Sequence, residues 1–169
     1  MRAPGRSDRR GGAATSRWWI AIAIALVAIP VAAGPAAADP RVLGTWSTQA
    51  DKARIALAAC PNDPALLCGR IAWLANPVGA DGAPLRDGRN RDAALRVRPL
   101  LGVEIVSGLR AAEPGRWRGG TVYDPERGRA FDAQLRLTGP DTLEVKGCVL
   151  LFCEAQTWRR VDPGGPRPR

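Results

Sequence analysis

Histidine does not occur anywhere in the 169 residues, and its absence narrows the chemistry more than any residue present does. A His general base, a Ser-His-Asp triad and every His-ligated metal site are excluded at once. Methionine occurs once, as Met1, and tyrosine once, as Tyr123, so few reactive side chains remain. Lysine is nearly missing as well. Lys52 and Lys146 are the only two lysines among 25 basic residues, an arginine excess that reads as compositional bias rather than phosphate recognition. A long apolar run is also lacking: the longest, Trp18 to Val31, covers 14 positions, against the ~20 that a membrane-spanning helix needs.

That short run sits where an export signal would. Arg2, Arg6, Arg9, Arg10 and Arg17 form a basic region ahead of it, and Ala36-Ala37-Ala38 offers a small-residue cleavage site before Asp39. A retained membrane anchor is the alternative. Arg9-Arg10 suggests the twin-arginine route, but Gly11-Gly12-Ala13 follows where bulky apolar residues belong, so the export route stays open. Cleavage after Ala38 leaves 169 − 38 = 131 residues, a size for one domain and one core. The expected division is a signal over 1–38, a domain over 39–162 with no transmembrane segment, and a disordered Pro/Gly/Arg tail over 163–169. The formal charge of +9 falls by 4 with the signal's five Arg and Asp8. What is left is a mixed surface, not a nucleic-acid footprint.

Cysteine use agrees with an oxidising compartment, periplasmic or secreted: Cys60, Cys68, Cys148 and Cys153 are an even set. Three connectivities are possible. Short loops at strand ends favour Cys60 with Cys68 and Cys148 with Cys153. A four-thiolate zinc site lacks the CxxC spacing that zinc ribbons use, and no metal or cofactor is expected.

The clearest structural signal is a hairpin from Trp117 to Leu137. Phe131, Ala133, Leu135 and Leu137 alternate with Asp132, Gln134 and Arg136, the period of a strand with one buried face. Asp124-Pro125-Glu126-Arg127-Gly128 supplies the turn, with Pro pre-setting φ and Gly able to take φ > 0. Further strands are expected over Leu43–Thr48, Arg54–Ala59, Cys68–Leu74, Gly102–Leu109, Thr142–Val149 and Ala155–Val161. Pro61-Asn62-Asp63-Pro64 reads as a break between the second and third. In the fourth, Val103, Ile105 and Leu109 share a parity, with Glu104 and Val106 opposite. Residues 75–94 form one long loop, read as solvated and held by Asp-Arg pairs. Asp81, Asp87, Asn90 and Asp92 invite a calcium reading, but their spacing is wrong and Arg86, Arg89 and Arg91 repel a cation. Leu150, Leu151 and Phe152, if exposed, would be an apolar loop tip suited to a partner, a membrane surface or a pocket rim, although packing over a barrel end is the commoner fate. About eight short strands with turns every ten residues or so favour a barrel or a sandwich, and Gly44-x-Trp46 at the start resembles lipocalin- and avidin-like barrels, so the expected fold is all-β, a single small antiparallel barrel with two local disulfides.

The motifs, in order, resemble the bacterial exported family called domain of unknown function 2147. They are Gly44-x-Trp46, Leu67-Cys68-Gly69-Arg70-Ile71, Leu95-Arg96-x-Arg98-Pro99-Leu100-x-Gly102, Trp117-x-x-Gly120-x-x-Tyr123-Asp124-Pro125-x-x-Gly128, and Gly147-Cys148 followed by Cys153-x-x-Gln156-x-Trp158-x-Arg160. The resemblance implies a lipocalin-like barrel outside the cytoplasm. Two departures stand out. Asn90-Arg91-Asp92-Ala93 replaces an Asn-Pro-Asp-Pro run, and Arg129-Ala130-Phe131 replaces Lys-Thr-Tyr.

Three function classes follow. The leading expectation is a binding module that takes a small apolar or amphipathic ligand, with Trp46, Trp73, Arg98, Tyr123 and Trp158 as candidate ligand residues. The alternative is an envelope interaction or structural protein whose Arg-rich loop, Arg86 to Arg98, meets acidic lipid or polysaccharide. An enzyme would have to be carboxylate-based, with Asp124 and Asp132 as acid and base. Turn chemistry and a wet strand face explain those two better, so no catalytic residue is assigned.

Overall fold

In the computed structural model, which describes residues 39–161, eight antiparallel strands close into one barrel in chain order. They are Gly44–Ser47 (β1), Ala53–Cys60 (β2), Asp63–Leu74 (β3), Glu104–Glu113 (β4), Arg116–Asp124 (β5), Arg129–Gly139 (β6), Thr142–Val149 (β7) and Phe152–Arg160 (β8). The expected signal over 1–38 and tail over 163–169 lie outside the described residues.

The β5–β6 hairpin forms as its turn chemistry dictates. Asp124 Oδ1 accepts from the backbone N–H of Glu126 at 2.8 Å and of Arg127 at 3.2 Å, and Gly128 takes φ 65. Along β6, Ala133 and Leu135 are buried, opposite Gly120 and Trp117 of β5. Ile55, Leu57, Leu67, Leu109, Leu143 and Trp158 complete a core drawn from β2, β3, β4, β7 and β8.

One end of the barrel is closed by the segment that leads into β1. A single 3-10 turn, Pro40–Val42, buries Val42, and the Trp46 indole donates to the Val42 carbonyl at 2.8 Å. The Arg160 guanidinium lies 4.3 Å over the Trp46 ring and donates to the carbonyls of Leu43 and Arg41. Burying a side chain as large as Trp46 is worth roughly 4 to 6 kcal/mol before entropy.

Both disulfides form as the short loops suggest. Cys60–Cys68 ties the end of β2 into β3, and Cys148–Cys153 clamps the β7–β8 turn.

Four expectations are corrected. Strand β3 begins at Asp63, so Pro64 does not break it; a proline near the start of a strand forfeits little of the ladder. Val106 is fully buried opposite Gly69 and Val122, because a bulge at Ile105 inserts one residue and shifts the parity. Glu104, by contrast, faces out as its place opposite Val103 and Ile105 suggests, and pairs with Arg70 at 2.9 Å. Strand β8 starts three residues earlier than expected. Finally, the long connection between β3 and β4 is not simply solvated, since Asp87 and Asn90 are buried in it.

Strand lengths leave the barrel uneven. β1 pairs with β8 at Trp46↔Arg160 and Ser47↔Arg159 only, so β8 from Phe152 to Thr157 runs past β1. The barrel is therefore sealed at its base and parted between β8 and the Thr48–Lys52 turn. A groove of about 580 Å³ between Ser47, Thr48, Asp51, Ala155, Thr157 and Arg159 follows that parting on the outside.

Candidate ligand site at the open end

The end opposite Trp46 carries the β3–β4 connection, the Asp124–Gly128 turn and the Cys148–Cys153 tip. The connection folds back as a flap. Bridges at Val78↔Pro84 and Arg86↔Pro99 make it hairpin-like, and Leu85, Leu100 and Val103 on its underside join the core.

A buried ion pair locks the flap. The Asp87 carboxylate is fully buried and accepts four hydrogen bonds. Oδ2 takes Arg98 Nε at 3.0 Å, Arg98 Nη2 at 2.8 Å and Asn90 Nδ2 at 2.8 Å; Oδ1 takes the Tyr123 hydroxyl at 2.6 Å. Asn90 Nδ2 also donates to the Tyr123 oxygen at 2.9 Å, and the Arg98 guanidinium lies 5.8 Å from the Tyr123 ring centroid. A buried carboxylate is tolerated only with partners of this quality. Burial, reinforced by the hydrogen bond to Asp87, pushes the Tyr123 phenol up to about 12.

A second set of contacts joins the flap to the β5–β6 turn. Arg91 N–H donates to the Gly128 carbonyl at 3.2 Å and Arg89 Nη1 to the Glu126 carbonyl at 2.8 Å. Lys52 pairs with Glu126 at 2.9 Å and holds that carboxyl below its ordinary range. A Cβ on Gly128 would be driven into the Arg89 carbonyl. Glycine is required there for space as well as for its positive φ.

Beside the flap the upper part of β8 is exposed. Alternation puts Glu154, Gln156 and Trp158 of β8 on the inner face, opposite Gly147, Val145 and Leu143 of β7. Trp158 is buried, whereas Gln156 and Glu154 above it are exposed. Solvent therefore reaches Gln156 on this strand. The Trp158 indole donates to Gln156 Oε1 at 3.3 Å, marking the floor. Half-buried Val122 and Phe131 pack against Gly147 of β7, where a Cβ would meet Val122 Cγ1 at 3.1 Å and Phe131 Cβ at 3.3 Å. Arg127 and Arg129 lie 5.6 Å and 4.7 Å over the Phe131 ring, and Arg127 crosses to Glu154 at 2.8 Å. Arg129 makes no ion pair among the described residues.

The five side chains singled out from the sequence fall in three places. Arg98 and Tyr123 meet in the lock. Trp158 is buried below Gln156, while Trp46 is wholly enclosed at the far end. Trp73 is half-buried near the end of β3, with Arg54 stacked 4.6 Å over its ring. Asp124 is committed to its turn, and Asp132 is exposed on the face opposite Phe131. Asp81 and Asp92 cap the N–H groups of Ala83 and Ala94. Sequence reasoning did not single out Phe131, Glu154 and Gln156, which gather at this end of the barrel. The shared parity of Gln156 and Trp158 was the available signal.

The bacterial family described as "Uncharacterized protein conserved in bacteria (DUF2147)" matches residues 44–160. No curated protein matches the chain. A solved structure titled "Protein HP1028 from the human pathogen Helicobacter pylori belongs to the lipocalin family" is similar, with a TM-score of 0.60 and 18% identity, over 72% of this chain and 83% of that one. At that identity the similarity establishes a shared lipocalin-like fold.

Proposed function

The chain belongs to the bacterial DUF2147 family, and on that footing we propose that it is a binding protein for one small amphipathic molecule held at the open end of the barrel. One observation carries this reading: inward-facing Gln156 and Glu154 are exposed directly above buried Trp158. Trp117, Leu135 and Leu143 fill the interior below, so the ligand occupies a cup and not a tunnel. Small-molecule sites combine an apolar lining with a few convergent polar groups. Trp158, Phe131 and Val122 supply the first, and Gln156 and the Arg127–Arg129 rim the second. Since Arg129 makes no ion pair among the described residues, the rim suits a carboxylate or sulfonate head group.

Among the five candidate ligand residues, Trp158 is the one in direct reach of this cup. Arg98 and Tyr123 act by fixing the flap beside it, and Trp46 and Trp73 by supporting the wall. Two disulfides support an oxidising location, periplasmic or secreted. The alternative of an Arg-rich loop gripping acidic lipid or polysaccharide is less favoured: Arg86, Arg89, Arg96 and Arg98 are each engaged within the flap or with the adjacent turn.

Titration with anilinonaphthalene sulfonate, an anionic amphipathic dye, tests the site. Saturable one-to-one binding is expected, weakened roughly tenfold or more by Gln156→Trp, which fills the cup, and left intact by Asp132→Asn on the outer face. Binding indifferent to Gln156→Trp, or none at all, would overturn the assignment.

A further inference from the structure

The tip between β7 and β8 exposes what a core would ordinarily take. Leu150, Leu151 and Phe152 are 91%, 94% and 85% exposed, with Val149 beside them. The register is tight: Val149 pairs with Phe152 and Cys148 with Cys153, so Leu150 and Leu151 alone make the turn. Two-residue hairpin turns call for φ > 0, which is why Gly, Asn and Asp dominate them. Here Leu150 takes φ 53, a region that branched side chains disfavour. Apolar exposure and backbone strain thus coincide at one place, on a base clamped by Cys148–Cys153.

The charges around the tip are of one useful sign. Glu154, the nearest acid, is neutralised by Arg127 at 2.8 Å, and Glu126 is paired with Lys52. Arg129 stands on the neighbouring turn without an ion pair among the described residues.

We propose that the Leu150–Phe152 tip inserts into the interfacial layer of a bilayer containing anionic phospholipid, docking the barrel with its open end toward the membrane. Large apolar side chains enter this layer readily, and arginines at its edge meet phosphate and anionic head groups. The ladder satisfies the hairpin backbone up to Val149↔Phe152, so insertion leaves few polar groups stranded. The tip is convex, projecting rather than recessed, which fits a deformable lipid surface. This inference goes beyond the ligand site and stands without it.

The test uses the full chain and three forms of the tip: wild type, Leu150→Asp with Leu151→Asp, and Phe152→Trp as a reporter. Vesicles of phosphatidylethanolamine with phosphatidylglycerol are compared with phosphatidylcholine alone. The region Trp18 to Val31 is common to all forms, so differences report the tip. On the anionic vesicles the Phe152→Trp fluorescence is expected to shift to the blue and be quenched by brominated acyl chains. The double Asp variant is expected to partition roughly tenfold or more weakly, and added salt to weaken binding further. Dye binding in the cup should be unchanged by the double variant, which separates failure here from failure of the ligand reading. Co-flotation with an unshifted reporter, equal partitioning of the double variant, or a reporter shift seen with envelope protein but not with lipid would each overturn the proposal.

Discussion

The Tyr123 hydroxyl donates a 2.6 Å hydrogen bond to Oδ1 of Asp87, a residue 36 positions earlier in the chain. Through it the β3–β4 flap is fixed to β5 by a charge that has no route to water. Flap position, and so the shape of the rim beside the cup, depends on a handful of side chains.

Removing Asp87 should therefore cost more than removing either neutral partner. Asp87→Ala leaves Arg98 and Tyr123 without their acceptor, and a loss of about 3 kcal/mol is expected, at the low end for a broken buried pair because Arg98 is partly exposed. Tyr123→Phe deletes one neutral donor and should cost about 1 kcal/mol. Urea denaturation of both variants checks the order, and the double variant Asp87→Ala with Arg98→Ala should lose less than the sum of its parts.

The single tyrosine makes the lock titratable by absorbance. Its phenol is pushed to about 12 in the folded chain, against ~10 when unfolded. The folded state holds the proton more tightly, so this stabilisation is complete below pH ~10 and is lost as pH rises toward 12. Tyrosinate absorbance should appear near 12 in the folded protein and near 10 in denaturant. Coincident midpoints would contradict the buried lock.

Gly128→Ala probes the second attachment. The new methyl group meets the Arg89 carbonyl, and φ 65 is strained for alanine. Amide exchange should accelerate in the flap, above all at the Arg91 N–H that bonds to Gly128, while β7 stays protected.

The disulfides close short loops, of sequence separation 8 and 5. Loop entropy makes them worth roughly 2 to 3 kcal/mol each. Paired Cys→Ser variants should lower stability by that amount without abolishing the barrel, as read by circular dichroism and urea midpoints.

What could be read from the sequence was local. Asp124-Pro125 and Gly128 state their turn, and Phe131 to Leu137 states its buried face, because both signals lie within a few residues. The cysteine pairing followed from loop length. Three features escaped for a common reason: each depends on residues distant in the chain. Asp87 reads as one more solvated loop acid until Tyr123 arrives beside it. Val106 changes face through a bulge that leaves no mark on the period. Gln156 and Glu154 stand exposed because β1 is four residues long and β8 nine, a mismatch visible only after pairing. Leu150 to Phe152 were legible as apolar, but whether they cap the barrel or face water was not.

Native mass spectrometry of the protein purified from its own host, compared with its denatured mass, tests the binding proposal most directly. An additional mass that vanishes on denaturation, retained by wild type and lost in Gln156→Trp, is the expected result. A clean unliganded mass that stays unchanged when host lipid extract is added would contradict a ligand-binding cup.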